Sequence, residues 1–327
     1  MLSYEYQAIG NQAEALSQLK IGLKNDPLNQ GLIYEISFLY DITGETENAI
    51  RFMNGYLDEN PYQYNAWYNL ATFYMKKREF EQAIEALGLC LAVNEHHIMA
   101  HQEIGDCYLE TDNWPKAEEH FKEVLKMDDG NLDALIGIAE CNEGRERYDD
   151  AFKQYKEITE VDAFHAEAWY GMAVVREKQE RYQECVPYIE KALEVDATDP
   201  EYWNFLADLK AQAGLHEEAI LALDKACELF PENMNYWLSK AQLIFHQIDH
   251  ELGIETLLEA LKISPQTVEL HYIQSAFMLA AGQKVEALNF LQNGLELDYN
   301  KHILLLDAFP EAINDPRIMD LIGIYGQ

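Results

Sequence analysis

A chain of 327 residues with 58 acidic and 24 basic side chains carries a net charge of -34, a surface that repels phosphate and excludes nucleic acid and anionic membrane as expected partners. Its composition, 48 % hydrophobic and 12 % aromatic, supplies a continuous core and excludes disorder. No apolar run approaches the roughly 18 residues of a membrane helix, and Met1 to Gln18 mix acids with tyrosines rather than following the basic-then-apolar order of a secretion signal.

The chain opens on half of a pattern. Ala15, Leu19, Gly22 and Pro27 read as the second helix of a two-helix repeat, and Met1 falls inside where its first helix should run. Residues 1–29 are therefore expected to be a truncated repeat. From residue 30 a complete repeat returns every 34 residues, as 30–63, 64–97, 98–131, 132–165, 166–199, 200–233, 234–267 and 268–301. The copy that starts at Pro200 is the clearest. Trp203, Leu206, Ala207 and the stem of Lys210 share one helical face, and Gly214 suits a helix C-terminus. Ala219, Leu223, Ala226 and Cys227 then form a second apolar face that ends before Pro231.

Four of the five tryptophans, Trp67, Trp169, Trp203 and Trp237, hold the fourth place of their repeats, while His101 and His271 take that place in two others. The eighth place holds only Ser37, Ala71, Gly105, Ala139, Ala173, Ala207, Ala241 and Ser275. The twentieth holds Ala15, Ala49, Ala83, Ala117, Ala151, Cys185, Ala219, Gly253 and Ala287. Small side chains at both places predict closely approaching helix pairs whose gaps the large residues fill. The turns inside the repeats carry Gly44, Gly214 and Gly282, or else an aromatic two places later, as at Phe80, Trp114, Tyr148 and Tyr182. Pro115 suits a first helical turn, whereas Pro187 predicts a kink or a late helix start.

This order of tryptophan, leucine, small residue and aromatic, followed by alanine, bulky residue, small residue and proline, resembles the tetratricopeptide repeat. The likeness covers nearly the whole chain without a break in register. It implies an all-α fold, a right-handed α-α superhelix of antiparallel helix pairs. From His302 the register dissolves, and residues 302–327 are expected to be capping helices, with a short helix from Pro316 to Tyr325 and no domain to follow.

The resemblance also implies where partners bind, because first helices line a concave groove in this family. By matching place, the acids there are Asp106, Glu140, Glu143, Glu167, Glu177 and Asp208, and the flanking apolar residues are Tyr34, Phe38, Tyr68, Met75, Tyr170 and Tyr272. Asp41, Thr72, Gln102, Asn204, Gln242 and Phe245 share those places. A run of acids focuses a negative potential that steers a basic segment, and aromatics can stack on its Arg or Lys side chains. The expected partner is thus a protein or peptide, basic or with apolar anchors. The family's clamp for a chaperone's C-terminal carboxylate needs bases, but the matching places hold Glu35, Asn69, Glu103, Gly137, Gly171, Phe205 and Ser239. That ligand is disfavoured.

Cys90, Cys107, Cys141, Cys185 and Cys227 fall at or beside small packing places and read as buried thiols of a reducing compartment, which favours the cytoplasm. His96, His97 and His101 lie near Glu95 and Glu103, and His246 and His250 stand four apart. Since His101 and His250 fill aromatic places, no metal is expected. No phosphate-cradling loop, nucleophile motif or cofactor signature is present, so neither catalysis nor a cofactor is expected. The function expected is a non-catalytic scaffold. Two alternatives are the recruiting arm of a larger enzyme or assembly, and a solenoid that self-associates through its open end near Leu2–Tyr6.

Overall fold

The computed structural model describes residues 11–326, and the region Leu2–Tyr6 lies outside them. Every regular element among the described residues is helical. The first compact unit, residues 1–163, contains α1 (Gln12–Asn25), α2 (Gln30–Ile42), α3 (Thr46–Glu59), α4 (Tyr64–Lys76), α5 (Phe80–Val93), α6 (Ile98–Glu110), α7 (Trp114–Met127), α8 (Leu132–Gly144) and α9 (Tyr148–Val161). The second, residues 164–327, contains α10 (Ala166–Lys178), α11 (Tyr182–Val195), α12 (Pro200–Gln212), α13 (His216–Leu229), α14 (Met234–Gln247), α15 (His250–Ile263), α16 (Val268–Ala280), α17 (Lys284–Leu297), α18 (Ile303–Ala308) and α19 (Pro316–Tyr325). Within each unit a helix packs on the next in sequence up to α17, after which α18 packs on α16 and α19 on α17, and alternate helices touch as well, as α2 with α4 and α6 with α8. This is nearest-neighbour stacking, in which no helix pair has a core of its own.

The small places do what their size predicts. Every described residue at the eighth and twentieth places is buried. The fourth place has a second role that size does not reveal. The indole N–H of Trp67 donates to the Pro61 carbonyl at 2.8 Å, that of Trp203 to Ala197 at 2.9 Å and that of Trp237 to Pro231 at 3.0 Å. Each bond ties the loop before a repeat to the repeat's first helix. His271 makes the same bond to Pro265 at 2.8 Å and His101 to Glu95 at 3.2 Å, so histidine replaces tryptophan where a ring N–H is retained.

The turns inside the repeats share one left-handed residue. Gly44, Gly214 and Gly282 have φ of 68°, 74° and 82°, and Arg78, Asp112, Glu146 and Glu180 take 58°, 55°, 61° and 60° at the same place. The next residue's N–H returns to the helix carbonyl five residues earlier, as Glu79 to Tyr74 at 2.9 Å and Arg147 to Asn142 at 2.8 Å, which is the Schellman closure of a helix end. The exception is Ile248. A β-branched side chain does not enter that region, and Ile248 instead has φ -122° and ψ -70°. The α14–α15 turn is consequently different. Helix α14 runs one residue longer than the other first helices, and a Cβ added to Gly253 would lie 2.6 Å from Phe245 Cβ and 2.8 Å from its Cα. Glycine is required there because the two backbones nearly touch.

Pro115 occupies the first turn of α7 as its position predicts. Pro187 lies inside α11, which begins at Tyr182 in register with α5, α7 and α9. The late start is not found, since proline removes only one i to i−4 donor and the rest of the helix is held by its neighbours. All five cysteines are free and buried, and burial pushes their thiols up, to about 11 for Cys90 and about 12 for Cys141.

Two packing solutions depart from the repeat's average. Phe121 is larger than the Leu87 or Leu223 that take its place elsewhere, and it is 1 % exposed. Its ring fits because Gly105 and Gly137 flank it: a Cβ there would lie 2.6 Å and 2.4 Å from ring carbons. Gln274, 0 % exposed, holds the place of Ile36, Leu70, Ile104 and Met172, and its amide N and O find no hydrogen-bond partner among the described residues. We expect Gly137→Ala to destabilise the N-terminal unit by about 1–3 kcal/mol through overpacking, and Phe121→Leu to offset most of that loss in a urea titration. Gln274→Leu is expected to raise stability by about 1–2 kcal/mol, since it removes unpaired polar atoms from the core; an unchanged or lower midpoint would show that the amide is satisfied.

Candidate functional site

In the N-terminal unit the expected site residues fall into two groups. Tyr34 and Phe38 of α2 are 64 % and 45 % exposed, and Ile42, one further turn along, is 50 % exposed. The spacing i, i+4, i+8 places all three on one side of the helix, an open apolar stripe beside Asp41, which pairs with Lys76 of α4. Tyr68 and Met75 of α4 are half-buried, Met75 against the core. Asp106 is exposed on α6, and Glu140 and Glu143 of α8 are half-buried, Glu143 accepting from the Tyr155 hydroxyl at 3.4 Å.

Tyr68 belongs to a polar-aromatic network. Its hydroxyl donates to Glu103 at 3.1 Å. Burial raises the Glu103 carboxyl above the ordinary carboxylate range while the Tyr68 bond pulls it back, and burial with the Glu103 charge raises the phenol. The Tyr68 ring stacks on His97 at 5.2 Å between centroids, and His97 caps α6 by accepting the Ala100 N–H at 3.1 Å. Sequence reasoning missed this network, although its residues carry one signal. The N-cap place before the first helices takes Asn29, Asn131, Asn233 and Asp199 in other repeats and His165 before α10; of the two histidines, His97 makes the side-chain capping bond and His165 does not.

In the C-terminal unit, Glu167 and Asp208 are exposed and Glu177 is half-buried. Removal of its inner side from water, then repulsion by Glu177 and Glu201, pushes the Asp208 carboxyl above its ordinary value. Tyr170 is half-buried, its ring 4.9 Å from Tyr202 and 5.4 Å from Phe205. Two expectations are corrected here. Tyr272 is 0 % exposed and donates to the Asp298 carbonyl at 2.9 Å, because the segment after α17 folds over α16 and closes that face. Phe245 is 4 % exposed, stacked on Phe277 at 3.9 Å and on His250 at 4.4 Å. Neither is available to a partner.

His250 is thus a packing ring. Among the described residues no three His, Cys, Asp or Glu side chains are grouped to hold a metal. A cleft of about 470 Å³ opens at the α14–α15 turn, lined by Phe245, His246, Gln247, Ile248, Asp249, His250, Glu251 and Ala281. Among the described residues no helix is long and apolar enough to cross a membrane.

Three family models match parts of the chain. One is described as the middle TPR-like domain of cilia and flagella-associated protein 70, over residues 98–234, and two as tetratricopeptide repeats, over 62–130 and 206–267. Among solved structures, a tetratricopeptide repeat protein from Parabacteroides merdae ATCC 43184 is similar at 19 % identity and a TM-score of 0.65, covering 74 % of this chain and 96 % of that one. TTC0263, a thermophilic TPR protein in Thermus thermophilus, is similar at 16 % identity and a TM-score of 0.50, over 56 % of this chain and 99 % of that one. At such identities the likeness is one of fold. No curated protein matches.

The Tyr68–Glu103 bond gives a direct test of the network. Tyr68→Phe is expected to lower stability by about 1.5 kcal/mol at neutral pH, as for a hydrogen bond to a charged group. The loss should shrink as acid protonates Glu103 and the carboxylate no longer needs its donor. Equal losses at pH 7.5 and pH 5, read by urea denaturation, would show that the hydroxyl does not hold the carboxylate.

Proposed function

The chain belongs to the tetratricopeptide repeat family, and from that premise we propose a non-catalytic scaffold that docks a basic segment with apolar anchors on the faces of its first helices. Repeats of this family are protein–protein interaction scaffolds, so a protein or peptide partner is the coarse reading. The finer one is carried by the open stripe of Tyr34, Phe38 and Ile42 on α2. Exposed large apolar residues are ordinary when scattered, but three on successive turns of one helix make a surface that gains by being covered.

Charge supplies the partner's sign. Burial first, and then the charges of Glu177 and Glu201, raises the Asp208 carboxyl above its ordinary value. In the folded chain Lys178 stands 3.9 Å from Glu177, a partial relief of this like-charge repulsion to which a bound Arg or Lys would add. An acidic or carboxylate-ended ligand would add to the repulsion, which argues against a chaperone tail.

The test uses the whole chain and two sets of labelled peptides of equal apolar content, one basic and one acidic, measured by anisotropy at low and moderate salt. The basic set is expected to bind more tightly and to weaken as salt rises. Glu177→Lys with Asp208→Lys, and separately Tyr34→Ser with Phe38→Ser, should each weaken binding about tenfold, roughly 1.4 kcal/mol. Acidic peptides bound equally well, or indifference to both pairs of substitutions, would overturn the proposal.

A further inference from the structure

The first turn of α6 holds more imidazole than a helix start ordinarily carries. His97 is the N-cap and His101 lies one turn later, against His120 of α7. The hydrogen bonds assign the tautomers. His97 Nδ1 accepts the Ala100 N–H at 3.1 Å, so its proton is on Nε2. His101 Nε2 lies 3.2 Å from the Glu95 carbonyl oxygen, which only accepts, so His101 carries its proton there and Nδ1 is a lone pair. His120 Nδ1 is 3.1 Å from that lone pair and must be the donor.

We propose that these three neutral imidazoles form a proton-operated latch on the α6–α7 pair, closed at neutral pH and opened as the histidines take up protons. The chemistry follows from the acceptors. A proton on His97 Nδ1 removes the cap of α6, and a proton on His101 Nδ1 sets N–H against N–H. A first proton on His120 Nε2 leaves the ring-to-ring bond in place but puts a cation in a half-buried site. Positive charge on His97 or His101 also sits at a helix N-terminus, where the helix dipole opposes it.

The surroundings agree on the sign. Burial, then the charge of His101, with a smaller push from Lys116, holds His120 below the ordinary histidine value against the pull of Glu119 and Glu123. Burial first, and His101 later, does the same to His97 despite its backbone bond. From α4 the facing groups are the Tyr64 and Tyr68 rings and from α7 the rest are those just named, while α8 meets the core of α7 through the apolar Ala134, Ile138 and Cys141. Tyr108 flanks His120 at 5.9 Å, and Glu103 of α6 reaches the network through Tyr68. Because the closed state holds these pKa values down, the open state binds more protons. The latch's stability is complete above the ordinary histidine value and is lost as pH falls through it. The effect on partners, through Tyr68, rests on the docking reading; the latch itself does not.

The other repeats supply the control residues. Asn131 caps α8 where His97 caps α6, and Trp169 stacks on Tyr188 at the two places of His101 and His120. A chain carrying His97→Asn, His101→Trp and His120→Tyr keeps Glu103 and removes only the titrating rings. Hydrogen exchange of residues 97–110 in the whole chain, at pH 7.5 and 5.5 and corrected for intrinsic rates, is the readout. In the native chain protection is expected to fall about tenfold on acidification, the effect of one pKa unit, with the triple variant unchanged. An equal fall in both, or none in the native chain, would overturn the proposal. Nitrogen-15 spectra of the native histidines supply a readout that needs no variant: His101 protonated on Nδ1, or His120 on Nε2 alone, at pH 7.5 would overturn it as well. Neither readout involves a peptide, so the latch and the docking surface fail separately.

Discussion

Close approach of helices at the eighth and twentieth places is the constraint on which the rest depends. A two-helix repeat has no interior, so its apolar face is buried only if the next repeat seats against it, and any excess volume at the contact is passed along the array. The buried Ala, Ser, Cys and Gly residues at these places keep the contact short. Volume is balanced across the contact rather than at one position. Phe121 is tolerated because Gly105 and Gly137 recede from its ring, and Gly253 is demanded because Ile248 draws α14 and α15 together. Substitution at one partner therefore reports on the other, as neighbouring sites in a packed core do.

The fourth-place ring fixes what packing alone leaves free, the path of the loop between repeats. Its N–H bonds a carbonyl six residues earlier, and that carbonyl has no helical partner of its own. This accounts for the ring donors at 67, 101, 203, 237 and 271, while Ile33 and Leu135 hold the same place in two other repeats with no ring N–H to give. The bond also fixes the tautomer of His101 and His271, which a hydrophobic reading of the 34-residue period passes over. A residue kept for its donor thereby acquires a second nitrogen with acceptor chemistry, and at His101 that nitrogen meets another imidazole.

The period, the helix pairs, the buried thiols and the short helix from Pro316 to Tyr325 were legible in the sequence because each rests on spacing, and spacing survives folding. What was not legible came from residues acting outside their own repeat. Tyr272 matches the exposed Tyr34 by place, but the segment after α17 covers it. Phe245 was lost to the surface because one β-branched residue, Ile248, could not take the left-handed turn that its counterparts take. Conversely, Arg78, Asp112, Glu146 and Glu180 do take that turn without being glycine. Their residue types hide it, although the period places them level with Gly44 and Gly214. The His101–His120 pair spans 19 positions in sequence, so only the alignment of both helices of a repeat brings the two into view.

Charge is where fold and function separate. Many of the ion pairs, such as Lys122 with Glu118, Lys126 with Glu123 and Lys225 with Glu228, lie one turn apart on exposed helix faces, where each contributes little. They cannot offset a net charge of -34. Most of that charge therefore acts at longer range, as a negative field around the chain. Solubility alone would be served by acids spread evenly over the surface. Acids on rigid helices are not spread in that way: burial first, then Glu177 and Glu201, raises the Asp208 carboxyl above its ordinary value. In any complex, charge acts chiefly on the rate of approach and apolar contact chiefly on the residence time.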